Sequence, residues 1–227
     1  MSVIGLGRCT ENAAFSCWAQ VNVMTAVKTD RRTQRTRQAL MIAFVGEVLT
    51  RGYEDVSVED IVKRANIGRS TFYMHYKSKE DLLRESISRP SHVLALLVGG
   101  DVSVDMLVPQ LVHFHEQRQR NGTFFRDPVR KLWAKRLAEM IEPRLTKIAR
   151  VTHAQPALPL AFIALQLAEA QIALVTNWLT DKPVLKPEAV ASAMIAATQA
   201  GIRAMLGLRP EAPVLIPGEK LKLVRTG

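Results

Sequence analysis

Apolar residues recur at three- and four-residue intervals along most of this 227-residue chain, the period of an α-helix. Leu40, Met41, Phe44, Val45, Val48 and Leu49 form the first stripe, which predicts a helix over about 33–51 that Gly52 stops. Ser57 followed by Asp60 is an N-cap signal with an acid three positions on, and Ile61, Val62 and Ala65 then give the apolar face of a short second helix. Asn66 enters the left-handed region at low cost and marks its end; Ile67 is the expected buried residue of the turn. Gly68 is a tolerable N-cap for a third helix over about 69–76, with Phe72 and Tyr76 four apart toward the core. Ser78 and Asp81 repeat the capping signal. They open a fourth helix with Leu82, Leu83 and Ile87, which Pro90 is expected to kink or end before His92–Val98 continues to the break at Gly99-Gly100.

From Asp101 on, the pattern stays helical. Val104, Leu107, Val108, Leu111, Val112 and Phe114 share one helix, ended near Asn121-Gly122. A second, over about 124–150, carries Val129, Leu132, Trp133, Leu137, Met140 and Ile141, with a break expected at Pro143. The stretch 156–179 is apolar nearly all round. Gln166, Glu169, Gln171 and Asn177 interrupt it, so it reads as a buried helix, and no stretch is expected to span a membrane. The last helix, about 186–206, sets Val190, Met194, Ile195, Ile202 and Met205 beside small residues such as Ala193, Ala197, Ala200 and Gly201. Small side chains allow close helix approach, within one chain or between two. The expected fold class is therefore all-α: a three-helix helix-turn-helix domain over 28–90, a larger helical domain over 91–207, a disordered extension over 1–27 and an irregular tail over 208–227. Met24, just before a basic run, raises the hypothesis that it is the natural start and the residues before it a misassigned or optional extension.

The third helix carries the most telling chemistry. Around Phe72 and Tyr76 lie Arg69, Ser70, Thr71, Tyr73, His75 and Lys77, which are hydrogen-bond donors and cations without one acid among them. A helix entering the major groove of DNA needs donors for bases and phosphates and must avoid carboxylates. The formal net charge of +10 favours an anionic partner, and its distribution sharpens the point. From Lys28 to Arg37 there are five cations (Lys28, Arg31, Arg32, Arg35, Arg37) against the single acid Asp30, a basic arm suited to phosphates or the minor groove. The two cysteines, Cys9 and Cys17, make no disulfide framework and fit a reducing cytosol. No phosphate-cradling glycine loop, nucleophile elbow or metal-ligand spacing is present. His113 and His115, two apart, point to divergent faces of a helix, so no catalytic, cofactor or metal site is expected and the chain does not read as an enzyme.

Position by position, Ala65, Ile67, Thr71-Phe72-Tyr73, His75-Tyr76 and Ser78-Lys79-Glu80-Asp81-Leu82 resemble the DNA-binding domain of the tetracycline-repressor (TetR) family of transcriptional regulators, over about Thr33 to Leu83. The resemblance implies that Arg69, Ser70 and Thr71 face base edges and that Tyr73, His75 and Lys79 hold phosphates. Lys77, Arg35 from the basic arm and Ser57 complete the DNA-facing set. Two positions depart from the family pattern: Asn66 stands where glycine is usual, and Gly68 where serine or threonine is usual, which removes one hydroxyl contact to the DNA backbone. The resemblance further implies a cytoplasmic homodimer paired through its last two helices, most simply a repressor released from a double-stranded operator by a small-molecule effector. Candidate pocket residues are His113, Phe114, Trp133, Gln166, Glu169 and Trp178. The alternative is an effector-independent helical DNA-binding protein acting through protein partners.

Overall fold

The computed structural model describes residues 31–100, 102–116, 125–180 and 185–209, and among these residues there are eight helices and no strand. The expectations for 1–27, for Lys28, Cys9 and Cys17, for Asn121-Gly122 and for the tail from 210 lie outside the described residues. The described residues divide between Arg89 and Pro90 into two compact units.

In the N-terminal unit, helix α1 spans Arg31–Arg51, α2 Val58–Ala65 and α3 Arg69–His75, and α4, Lys79–Leu96, begins there and continues past the division. Helix α1 covers the whole of the predicted stretch 33–51. It ends as expected at Gly52, whose N–H reaches the Val48 carbonyl at 2.9 Å with φ 91°, a backbone angle that a side chain would strain. Ser57 and Asp60 form the reciprocal cap at the start of α2: the Asp60 amide donates to Ser57 Oγ at 3.2 Å, and the Ser57 amide donates to Asp60 Oδ2 at 2.9 Å. Asn66 closes α2 at φ 53°, ψ 46°, and the Ile67 amide returns to the Val62 carbonyl at 3.0 Å. Ile67 is half-buried rather than buried, because the tight turn between exposed Asn66 and Gly68 holds it at the surface edge. Leu40, Phe44, Ile61, Phe72, Leu82 and Leu83 are fully buried and join the helices; each contributes about 1.5–3 kcal/mol by leaving water.

Helix α4 runs through Pro90 without ending. Proline removes the bond to the carbonyl four residues back, a cost of about 3 kcal/mol. Leu94, Ala95 and Leu96 beyond it are buried, and their burial more than offsets that loss. The break comes at Gly99-Gly100: the Gly100 amide bonds to the Leu96 carbonyl at 2.9 Å, and a Cβ at Gly100 would stand 2.3 Å from that same oxygen, so no larger residue fits.

In the C-terminal unit, α5 spans Val104–Glu116, α6 Val129–Thr152, α7 Leu160–Thr180 and α8 Pro187–Leu206. Helix α6 packs along α7, and α8 packs against α5 and α7. Pro143 lies inside α6, contrary to the expected break, because Ile141, Leu145 and Ile148 on either side are buried. Helix α7 begins only at Leu160, past Pro156 and Pro159. Gly207 in the left-handed region ends α8. A further correction concerns membranes: α7 and α8, with mean hydropathy 1.4 and 1.3, are long and apolar enough by length and composition to cross a bilayer. In α7, however, Ile163, Leu167, Ile172 and Val175 are buried against neighbouring helices, and its polar Gln171 donates to Thr198 Oγ1 at 3.2 Å.

Candidate nucleic-acid interface

The short α3 is pinned at both ends and presents the rest of its circumference outward. Phe72 has no exposed surface and packs edge-on to Tyr73 and tilted against Tyr76. Tyr76 leaves the helix in extended conformation (φ −139°) yet stays buried beneath Arg37, whose guanidinium lies 5.1 Å from its ring centre. Burial and the neighbouring Glu85 carboxylate push the Tyr76 phenol well above its usual pKa. Arg37 also pairs with Glu85 at 2.5 Å, so this cation of the basic arm fastens α1 to α4 instead of awaiting phosphate. Arg35, two residues earlier, is exposed.

On the outward surface, Arg69, Ser70 and Lys77 are exposed, Tyr73 is 48% exposed, and Thr71 and His75 are half-buried. None of the base-facing or phosphate-facing candidates on α3 is sealed inside. Arg69 lies 5.7 Å from the Tyr73 ring centre and 3.8 Å from Glu59 Oε2, a loose and fully hydrated ion pair that a phosphate could displace. Hydrogen bonding to Tyr73 is the main cause that raises the Arg69 guanidinium above its ordinary pKa. The Lys77 amide is taken by Asp81 Oδ2 at 2.9 Å, which caps the entry to α4 and leaves the Lys77 side chain outward. Beside α3 an open groove of about 440 Å³ is lined by Tyr73, Lys77, Ser57, Val58 and the start of α4.

Two members of the expected DNA-facing set are otherwise engaged. The Lys79 ammonium donates to three backbone carbonyls, Tyr53 at 2.9 Å, Glu54 at 3.3 Å and Val56 at 2.9 Å, and sits 4.6 Å over the Tyr53 ring. An ammonium has three protons and all are engaged, so Lys79 ties the α1–α2 loop to α4 and holds no donor for phosphate. Tyr53 Oη in turn donates to Glu80 Oε1 at 3.1 Å; burial, and then the Glu80 charge, push its phenol well above the usual range. Ser57 is exposed, but its hydroxyl is shared with Asp60, donating to Oδ2 at 2.5 Å. The Ser57 hydroxyl, its amide and then Arg51 hold the Asp60 carboxyl well below the usual carboxylate range.

One surface residue escaped the sequence reading. Met74 on α3 is 80% exposed amid donors. The available signal was a lone thioether in a polar run, on the face opposite Phe72.

In the C-terminal unit the pocket candidates do not form one cluster. Phe114 and Trp133 are buried together with Phe125, ring centres 5.3–5.9 Å apart, and Trp133 Nε1–H donates to Ser91 Oγ at 2.9 Å. Trp178 is buried elsewhere, stacked on His115 at 5.2 Å and donating to the Leu185 carbonyl at 2.8 Å. Gln166 is exposed, because its turn of α7 buries Ile163 and Leu167 instead. Glu169 is half-buried and pairs with Arg130 at 2.5 Å, and His113 is half-buried beside Phe114.

Comparison with known proteins gives a consistent answer. The family model "Bacterial regulatory proteins, tetR family" matches residues 47–86, from the end of α1 into α4. The chain is 44% identical over 61 residues to the uncharacterized HTH-type transcriptional regulator YxbF of Bacillus subtilis (strain 168), covering 26% of this chain and 16% of that protein. It is 36% identical over 53 residues to the uncharacterized HTH-type transcriptional regulator YdgC of the same organism, covering 23% of this chain and 27% of that one. The matches thus span less than a third of these relatives. Among solved structures, a TetR transcriptional regulator from Streptococcus agalactiae 2603V superposes with a TM-score of 0.51 at 28% identity, over 74% of this chain and 96% of that one. The likeness to the tetR family of bacterial regulatory proteins thus rests on the helix-turn-helix, residues 47–86.

Proposed function

We propose that the protein is a sequence-specific transcriptional regulator that acts in the cytoplasm as a homodimer on double-stranded DNA and represses until a small-molecule effector releases it. The observation that carries this reading is α3: a helix anchored by fully buried Phe72, whose exposed or half-buried side chains Arg69, Ser70, Thr71, Tyr73 and His75, with Lys77 just beyond its end, are donors and cations with no carboxylate among them. Residues 28–90 serve as the DNA-binding domain and 91–207 as the effector and dimerisation domain. Two α3 helices enter successive major grooves, about one helical turn apart on a near-palindromic operator. An effector bound in the C-terminal domain lowers DNA affinity, and by linkage DNA lowers effector affinity equally. The ordinary work of DNA contact falls to Arg69, Ser70, Thr71, Tyr73, His75, Lys77 and Arg35. Lys79 holds the scaffold.

Selection of genomic fragments by the purified protein tests this. Enrichment of near-palindromic sites, bound with steep salt dependence, is the expected result. Recovery of unrelated fragments, or none, would reject it. A second reading, DNA binding without an effector through protein partners, has one observation in its favour: of the polar pocket candidates, Gln166 faces outward and Glu169 is ion-paired to Arg130. A metabolite screen in which no compound alters operator affinity would favour that reading.

A further inference from the structure

Helix α3 carries an apolar tip where its chemistry would otherwise be wholly polar. At about 100° per residue, Ser70 and Met74 each stand about 160° from Phe72, so together they form the ridge directly opposite the buried anchor. Arg69 and Tyr73 flank that ridge on one side, Thr71 and His75 on the other. The exposures agree: Met74 is 80% exposed, Tyr73 48%, and Thr71 and His75 are half-buried. Among the described residues of the N-terminal unit, Tyr73 and Met74 are the exposed large apolar side chains, and they adjoin on this one helix. A single exposed apolar side chain is ordinary on a water-facing surface; this one crowns a ridge of donors, and the floor of the major groove offers one apolar group to meet it, the C5-methyl of thymine.

Resting on the regulator reading above, we propose that Met74 reads a thymine methyl on the operator and is a specificity-determining residue, while its neighbours supply hydrogen bonds. The ridge pairs it with Ser70 one turn away, so an apolar probe and a hydroxyl meet neighbouring base edges. The flanking Arg69, Tyr73 and His75 are placed for bases and phosphates at the groove walls. Methionine suits this contact because its side chain is flexible, unbranched and polarizable, so it closes on a methyl without demanding one rotamer. The same methyl is offered by 5-methylcytosine, and the experiment separates the two sources.

On a selected operator, each thymine is replaced in turn by deoxyuridine, which removes only the methyl, and affinity is measured for the wild type, Met74→Ala and Met74→Leu. Losing one buried methyl weakens binding about fourfold. The wild type is expected to show this loss at one or two thymines per half-site, Met74→Leu to keep it, and Met74→Ala to bind the thymine and deoxyuridine operators alike. In a second arm, 5-methylcytosine at cytosine positions of the half-site is expected to leave wild-type affinity unchanged. Equal binding by the wild type with and without each thymine methyl overturns the proposal, as does a Met74→Ala protein that retains the full methyl effect. A gain on 5-methylcytosine with no loss at any thymine also overturns it, by assigning the contact to the other base. These results leave operator binding itself intact, whereas failure of the wild type to select any DNA rejects the regulator reading as well. Met74 is exposed, so thermal unfolding of both variants is expected to match the wild type and excludes misfolding as the cause.

Discussion

Lys79 and Lys77 lie two residues apart in different surroundings, and substitutions should separate them. The three protons of the Lys79 ammonium are bound by the carbonyls of Tyr53, Glu54 and Val56, whereas the Lys77 side chain is exposed. Lys79→Met is expected to destabilise the protein by about 1–2 kcal/mol, since charge-assisted bonds are lost and carbonyls are left to water, with faster hydrogen exchange over the α1–α2 loop. Lys77→Ala should leave thermal unfolding unchanged, weaken binding to every DNA sequence, and reduce the slope of log affinity against log salt by about one. If Lys79→Met keeps full stability and lowers only the salt slope, then Lys79 is a phosphate ligand after all. Asp60 allows a pH test of the same kind. Its folded-state pKa is depressed, first by the Ser57 hydroxyl, so its contribution to stability is present above the unfolded value near 4 and fades as pH falls through the lower folded value. The stability gap between wild type and Asp60→Asn should therefore narrow in acid melts below about pH 4; a gap constant with pH would show that the carboxylate charge is not what the cap uses.

At the scale of elements, helix starts and stops written in local chemistry were legible from sequence, and those decided by packing were not. Ser57 with Asp60, Asn66 and Gly52 each act through groups within a few residues of themselves, and each stands where its side chain or its lack of one predicts. Pro143 misled, and the ending foreseen as one outcome at Pro90 did not occur, because the proline penalty is local, while the burial of Leu94–Leu96 or of Ile141, Leu145 and Ile148 depends on packing. The donor face of α3 was legible because its helical period is fixed. The fate of Lys79 was not, since three carbonyls gathered by a loop more than twenty residues away leave no local mark. The exposure of Gln166 left no local mark for a similar reason, being set by how α7 turns against α6. Asn66 offers the element-scale prediction. It holds φ 53°, where an ordinary L-residue costs about 1–2 kcal/mol and glycine none. Asn66→Ala should lower stability by about that amount and Asn66→Gly should be near neutral, measured by thermal unfolding; equal effects would mean that the amide side chain, not the backbone angle, sets the turn.

For the whole molecule, the outer face of α8 carries the argument for pairing. Val190, Met194, Thr198, Ile202 and Leu206 are buried within the unit, while Ala193, Ala196, Ala197, Ala200 and Ala204 lie exposed on the opposite side. The exposed side of α7 is partly apolar too, with Phe162 70% exposed and Leu165 44%. Helices this apolar that show small side chains outward can approach a twin closely, and two such pairs make a four-helix interface whose two-fold symmetry suits a near-palindromic site. Ala197→Glu puts a charge at the middle of that face, where water solvates it freely in the monomer and burial in a dimer would strand it. The variant is expected to keep its helical circular dichroism, sediment as a monomer, and bind operator at least about a hundredfold more weakly, because the second half-site no longer benefits from effective concentration. A single half-site probe should be bound about equally by variant and wild type, which separates lost pairing from damage to α3. Wild-type protein that sediments as a monomer at operator-binding concentrations would remove the dimer from the mechanism. Wild-type protein that instead partitions onto lipid vesicles through this face would assign the apolar surface of α7 and α8 to a membrane.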